Sequence, residues 1–247
     1  MEYVLITGGT SGIGYELVKK FAANNYGIVI VSSNRLRLEN TKKEIESKFG
    51  IPVLIYEEDL GQIGSACAIY DKIHEANINI SVLVNNAGFG LLGCSDKISL
   101  VEDEKMMILN IISVVELCKL FLGDMYKQGK GKILNISSTG AFQPGPYTST
   151  YFASKEFILS YSKAIRYEAK KKGVQVCILC PGATRTNFFI REGKKTPKSA
   201  MSPKKVAEYG YKRLMKNKEI SIPGKLNRLM RLFPEKIKMK YVANMKK

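Results

Sequence analysis

The chain is poor in the residue most often used for proton transfer near neutrality: it has one histidine, His74, in 247 residues. His74 sits in the polar stretch DKIHEANIN, where a solvated helix residue is expected, so acid–base chemistry has to be sought in other side chains. Cysteine is scarce too. The five residues at 67, 94, 118, 177 and 180 are an odd number in a chain long enough to build a core without covalent staples, which argues against a disulfide framework and suits a reducing cytoplasm. Cys177-x-x-Cys180 has redox or zinc spacing, but no second Cys pair or His cluster completes a metal site, and both fit as small apolar members of the strand VQVCILC. No run of 18 or more apolar residues occurs, which on length excludes a membrane-spanning helix. Met1-Glu2-Tyr3 leads straight into Val4-Leu5-Ile6 without the features of a secretory signal, so a cytoplasmic protein is expected. Internal repeats and low-complexity linkers are also missing.

Acidic residues thin out toward the C-terminus. Residues 1–190 carry 21 Lys and Arg against 18 Asp and Glu, a net of +3, whereas residues 191–247 carry 18 against 4, a net of +14. Such an end attracts anionic lipid, nucleic acid or an acidic carrier protein, or else is a solvated helix surface that aids solubility. Basic charge without a reading motif is poor ground for nucleic-acid binding, and none is expected.

With 45% hydrophobic and 25% charged residues the chain has the means to bury a full core. Short β-rich runs (YVLIT, GIVIVSS, PVLIYEED, ISVLVNNAG, GKILNISS, VQVCILCPG, EISIPG) alternate with helical patterns near 12–24, 35–48, 61–76, 99–127, 151–172 and 203–217. Near-continuous Val/Ile/Leu strands separated by helices indicate a parallel sheet covered on both faces, a doubly wound α/β architecture of about seven strands. The helix from Tyr151 is expected to end at AKKKGV, with lysines in its last turn and Gly173 as a left-handed cap.

Directly after the first strand comes TGGTSGIG, residues 7–14, opening the first helix. Glycines at 8, 12 and 14 permit a sharp turn, close approach of backbone to a pyrophosphate and tight helix–sheet packing, while free N–H groups face the anion. About 20 residues on, where an acid would bind the ribose hydroxyls of NAD, stand Ser32, Ser33, Asn34 and Arg35. These donors and one cation suit a 2′-phosphate, favouring NADP(H) over NAD(H), unless Arg35 and Arg37 merely face water on the second helix.

Tyr151 and Lys155 in TYFASK are four apart, hence on one helix face and able to reach a common point. Together with Asp59 after the third strand, NNAG at 85–88, Asn110 in a helix, NISS at 135–138 and PGATRT at 181–186, these motifs resemble the short-chain dehydrogenase/reductase family from about residue 3 to residue 224. The resemblance implies a Rossmann fold and a catalytic set of Asn110, Ser138, Tyr151 and Lys155. Tyr151 is then the proton donor in ketone reduction. An isolated tyrosine has a pKa of about 10, and a neighbouring ammonium lowers it toward neutrality. Ser138 is expected to hold the substrate oxygen, Asn110 to keep a water in a proton relay, and Lys155 also to bind the nicotinamide ribose. Tyr147 and Ser137 are weaker rivals: Tyr147 stands two turns from Lys155, and Ser137 points to the other side of its strand.

The same resemblance lines the pyrophosphate with Gly8, Ser11, Gly12, Ile13 and Gly14, borders the adenine with Asp59 and Leu60, and runs Asn86, Ala87 and Gly88 beneath the adenosine ribose. Pro181, Gly182, Thr184 and Thr186 meet the nicotinamide end. Residues 185–202 fall where family members carry a substrate lid, with Phe188, Phe189 and Ile190 as its apolar face, which points to a lipid-, ketoacyl- or steroid-like ketone. Past ISIPG the chain departs from bacterial β-ketoacyl carrier-protein reductases. The division expected is one catalytic domain over 1–224 and a basic amphipathic helical extension of it over 225–247, in which Leu226, Leu229, Met230 and Phe233, then Ile237, Tyr241, Val242 and Met245 recur at helical spacing around Pro234. That extension packs on the body or another subunit, covers the pocket, or touches an anionic membrane surface. A dimer or tetramer is in keeping with the family. The competing function is a non-catalytic dinucleotide sensor that holds a partner through its basic tail.

Overall fold

The computed structural model describes residues 1–188 and 196–246, with side chains described through Asn244. Strands β1 (Tyr3–Thr7), β2 (Gly27–Ser32), β3 (Val53–Glu57), β4 (Ile80–Asn85), β5 (Gly131–Ile136), β6 (Val174–Leu179) and β7 (Ile220–Ser221) form one sheet in the order β3-β2-β1-β4-β5-β6-β7. Every pairing is parallel. Between the strands run α1 (Gly12–Ala22), α2 (Arg35–Phe49), α3 (Ser65–Glu75), α4 (Leu100–Met107), α5 (Ser113–Gln128), α6 (Ser149–Lys170) and α7 (Pro203–Met215), with α8 (Lys225–Met230) and α9 (Glu235–Lys246) at the end. This is the doubly wound Rossmann architecture. Its strand order reverses between β1 and β4, and loops leaving those two strands at their C-terminal ends splay apart to open a crevice.

Alternation along each strand sorts the core into two layers. Val4, Ile6, Ile28 and Ile30 meet Leu17 and Phe21 of α1, Ile45 of α2 and Leu214 of α7 on one face. Leu5, Val29, Leu83 and Ile133 meet Ile69 of α3, Leu117 and Phe121 of α5 and Ile158 of α6 on the other. Cys177 and Cys180, three positions apart, fall into different clusters, and burial pushes their thiols up to about 11 and about 12. They act as apolar fillers, and His74 is exposed on α3, both in keeping with the sequence. Gly173 follows α6 with a φ of 75°, the left-handed turn anticipated there.

Two sequence expectations need correction. The stretch Leu100–Gln128 is a helix long and apolar enough to cross a membrane by length and composition, although scattered charges keep it from holding any long unbroken apolar run. Its inner face, with Leu117, Phe121 and Met125, is nevertheless buried against the sheet. Nor is this stretch uniformly α-helical: residues Ile108–Ile112 form a π turn joining α4 to α5. Such one-turn bulges re-aim side chains and are frequent at functional sites.

Candidate active site

At the C-terminal edge of the sheet lies a cavity of about 1420 Å³, walled by the loops after β1, β4 and β5, by α6, by the segment after β6 and by α8 and α9. Its floor is knitted from the glycine loop. Thr7 Oγ1 accepts hydrogen bonds from the backbone N–H groups of Asn86 and Ala87, both at 3.0 Å, and Asn86 Nδ2 donates to the carbonyls of Thr7 and Gly8 at 3.0 and 3.1 Å. Gly12 has a φ of 56°, and a Cβ at Gly14 would lie 2.3 Å from the Gly8 carbonyl oxygen, so both positions require glycine. Gly14 thus packs under the loop and does not reach the cavity, whereas Gly8, Ser11, Gly12 and Ile13 line it.

Farther along the floor, Ser32, Ser33, Asp59 and Leu60 line the end near β2 and β3. The Asp59 carboxylate pairs with Lys105 Nζ at 2.9 Å and accepts from Gly61 N at 3.0 Å. Burial alone would raise its pKa, but the Lys105 hydrogen bond, the Gly61 N–H and the lysine's charge together hold it below the usual value. Asn34 and Arg35, expected at this end, are not part of the wall. Asn34 is the N-cap of α2, its side chain accepting from Arg37 N at 2.9 Å, and Arg35 Nε is drawn along the helix to Glu39 at 2.7 Å. Arg37 lines the cavity instead, and among the described residues no carboxylate lies within 4.0 Å of it.

The opposite end holds Ser138, Tyr151 and Lys155, all on the cavity wall. Residue spacing on α6 stacks Lys155 one turn from Tyr151, and Lys155 Nζ lies 5.8 Å from the Tyr151 ring centroid. Lys155 is 6% exposed. Its ammonium donates to the Ile136 carbonyl at 3.2 Å and, among the described residues, meets no carboxylate within 4.0 Å. Burial pulls its pKa from 10.5 down to about 8. Ser138 caps the short 3-10 turn Thr139–Phe142, its Oγ accepting from Gly140 N at 3.0 Å. Ser137 turns the other way, its Oγ donating to the Lys155 carbonyl at 2.7 Å, and Tyr147 precedes α6 in a left-handed conformation with a φ of 63°.

Asn110 sits on the π turn, fully buried, behind the wall. Its Oδ1 accepts from Phe89 N at 3.2 Å, and its Nδ2 donates to Phe89 O at 2.9 Å and to Ser154 Oγ at 3.2 Å. Both ends of the amide are engaged by protein groups, so Asn110 clamps the loop after β4 to α6. A Cβ at Gly88 would stand 2.8 Å from Asn110 Oδ1 and 3.2 Å from Lys155 Nζ, so only glycine keeps that junction open.

Pro181, Gly182, Thr184 and Thr186 line the same end, with Thr186 Cγ2 close against Gly12. The two ends of the stretch 185–202, expected to form a lid, meet where Arg185 N donates to Met201 O at 2.9 Å and Arg185 Nη1 to Ala200 O at 3.0 Å. Phe188 stacks at a tilt on Tyr151 with ring centroids 5.2 Å apart. Phe189 and Ile190, expected on the lid's apolar face, lie outside the described residues. Sequence reasoning did not single out Thr7, Arg37, Phe142 or Phe152 for the site, whereas one of the roles open to the extension, covering the pocket, matches its placement: Leu226, Met230, Arg231, Lys238, Tyr241 and Val242 all line the cavity. Most of the extension's apolar stripe is exposed, whereas Val242 and Lys238 are buried.

These walls fit an extended nicotinamide dinucleotide. A glycine loop with free N–H groups accepts a pyrophosphate, and Lys155 is a buried cation with donor capacity beyond its one carbonyl partner. Comparison with known proteins agrees. A family model described as short chain dehydrogenase matches residues 2–196. The chain is 34% identical over 188 residues to a very-long-chain 3-oxoacyl-CoA reductase of Bos taurus, an alignment covering 73% of this chain and 58% of that protein. It is 33% identical over 208 residues to 17-beta-hydroxysteroid dehydrogenase type 3 of Mus musculus, covering 81% and 65%. The chain therefore spans about three fifths of the length of these relatives. A solved short-chain dehydrogenase from Sphingobium yanoikuyae in complex with NADPH superposes with a TM-score of 0.87 at 27% identity, over 91% of this chain and 89% of that one. The chain belongs to the short-chain dehydrogenase family of oxidoreductases.

Proposed function

We propose that the protein reduces an apolar ketone with NADPH, with Tyr151 as the proton donor. The observation that carries this is the company Tyr151 keeps: one cavity is lined by Tyr151, by the glycine loop and by Lys155, whose buried ammonium meets no carboxylate within 4.0 Å among the described residues. When bound, the dinucleotide supplies the hydride. The chain's own residues orient the ketone and deliver the proton. Lys155 favours the phenolate left after proton donation by placing positive charge one turn away. With its Oγ already accepting from Gly140 N–H, Ser138 has its hydroxyl proton left to donate to the substrate oxygen. Asn110 acts as a positioning residue, holding the loop that carries Gly88 against α6.

Preference for NADPH rests on Arg37, supported by Ser32 and Ser33. The acids at that end are already neutralised: Asp59 pairs with Lys105 at 2.9 Å and Glu58 with Lys72 at 3.0 Å. An apolar substrate is supported by Phe142, Phe152, Phe188 and Met230 in the wall, and by relatives named for 3-oxoacyl-CoA and hydroxysteroid chemistry. The test is NADPH consumption against a panel of medium- and long-chain 3-oxo esters and steroid ketones. Tyr151→Phe is expected to lose at least about a hundredfold in kcat, within the range of acid–base catalysis, with cofactor affinity retained. Unchanged turnover in that variant overturns the assignment. Tight dinucleotide binding by the natural protein without turnover across the panel favours the sensor reading.

A second reading concerns where the enzyme works. Leu229, Leu232, Phe233 and Ile237 are 41–76% exposed along α8, α9 and the turn between them and do not line the cavity, interspersed with Arg228, Lys236 and Lys240. An apolar surface set among cations suits peripheral contact with an anionic bilayer.

A further inference from the structure

The substrate end of the cavity is capped by three cations contributed by the C-terminal extension. Lys225, Arg231 and Lys238 all line it, and two of them converge on one residue: Lys238 Nζ donates to the Phe142 carbonyl at 2.6 Å, and the Arg231 guanidinium lies 5.3 Å from the Phe142 ring centroid. Lys238 is only 7% exposed. A cation taken that far out of water is costly unless an opposite charge meets it. Among the described residues no carboxylate lies within 4.0 Å of Lys225, Arg231 or Lys238.

The cavity's own acids lie at the other end. Glu58 and Asp59 follow β3, Phe142 follows β5, and those strands stand four places apart in the sheet, about 19 Å at the usual interstrand spacing. Neither acid reaches the trio. Around the three cations the wall is apolar, with Leu226, Met230, Phe142 and Val242.

We propose that Arg231 and Lys238, with Lys225 beside them, form an anion subsite that binds a carboxylate or phosphate group borne by an otherwise apolar carbonyl substrate. This rests on the reductase reading above and specifies its substrate: an amphipathic anion such as a keto acid or a phosphate-bearing acyl thioester, in place of a neutral ketone. Lys238 holds the Phe142 carbonyl and directs its remaining N–H donors to the anion; Arg231 offers a planar fork suited to two oxygens.

The test is binding without turnover. Decanoate, decyl phosphate and decanol share one chain and differ only in the head group, and calorimetry on the full-length protein gives their Kd values. The charged probes are expected to bind at least about tenfold more tightly than decanol, an advantage of about 1.4 kcal/mol that weakens with added salt. Whichever of the two binds tighter identifies the anion. In Lys238→Met the advantage is expected to fall at least threefold while decanol binding is kept. Arg231→Gln, at a position that is not buried, gives the same readout should the first variant unfold. Equal affinity of all three probes overturns the subsite, as does an advantage that survives in every folded variant. Turnover of neutral ketones is measured separately: a subsite that fails beside intact ketone reduction removes only this inference, and anion capture by a protein without turnover removes only the reductase reading.

Discussion

Lys155 is expected to cost the free protein stability, and replacing it by methionine reads that cost out. Its pKa falls from 10.5 to about 8 because burial disfavours the charge. Below pH 8 the lysine is protonated in both folded and unfolded chains, so the whole penalty stands. With 1.36 kcal/mol for each tenfold step, a gap of 2.5 corresponds to roughly 3 kcal/mol. Methionine fills similar space without charge but forfeits the hydrogen bond to the Ile136 carbonyl, a loss of about 1 kcal/mol. At pH 7 the unliganded Lys155→Met protein should therefore be about 2 kcal/mol more stable than the natural one. Between pH 8 and 10.5 the folded lysine is neutral while the unfolded one still binds its proton, so the natural protein gains stability as pH rises through that window. By pH 10 the two should be nearly equal. Urea unfolding at pH 7 and pH 10 measures both values. A variant less stable than the natural protein at pH 7, or a difference that does not change with pH, refutes the reasoning. Sacrificing stability at a position that serves function is a common trade, and the proposed role of Lys155 would make it one.

Other perturbations have distinct expected outcomes. Arg37→Ala should weaken NADPH binding roughly tenfold and leave NADH unaffected, whereas Arg35→Ala, which loses only the pair with Glu39, should change neither; fluorescence titration of both nucleotides decides. Gly14→Ala forces a Cβ to within 2.3 Å of a backbone oxygen and should destabilise by about 1–3 kcal/mol or more in urea unfolding. Asn110→Ala unclamps Phe89 and Ser154 and should lower kcat more than it raises KM, with substitution by Asp recovering part of the loss. Sedimentation with anionic vesicles at low salt, reversed by high salt, is expected of the natural chain, and Leu229→Asp with Phe233→Asp should abolish it.

Those parts of the architecture that depend on local spacing were legible in the sequence. The alternation of Val/Ile-rich strands with helices prescribed a parallel sheet, and the glycine loop fell between strand and helix as its residues required. Tyr151 and Lys155 were legible because four residues make one turn, whatever the rest of the chain does. Arg35, one of two arginines the sequence left open between cofactor and solvent, stands off the cavity wall and pairs with Glu39, four residues on. That pairing was available in the sequence as an i,i+4 signal. Nothing local announced the π turn at 108–112, on which Asn110 accepts from Phe89 N of the loop after β4. The extension shows the limit of periodicity most plainly. Helical spacing located α8, α9 and the break at Pro234, but it left open whether the apolar stripe meets the body, the pocket, another subunit or a membrane. The burial of Lys238 follows from a backbone carbonyl on Phe142, 96 positions away, which no pattern within the helix encodes.

Transfer of a labelled hydride decides whether this is a ketone reductase. With NADPH carrying deuterium at both C4 positions of the nicotinamide and a 3-oxo substrate, mass spectrometry of the alcohol should find one deuterium per product molecule, formed by the natural protein and not by Tyr151→Phe. Alcohol without deuterium, or labelled alcohol formed equally well by the Tyr151→Phe protein, would contradict the account.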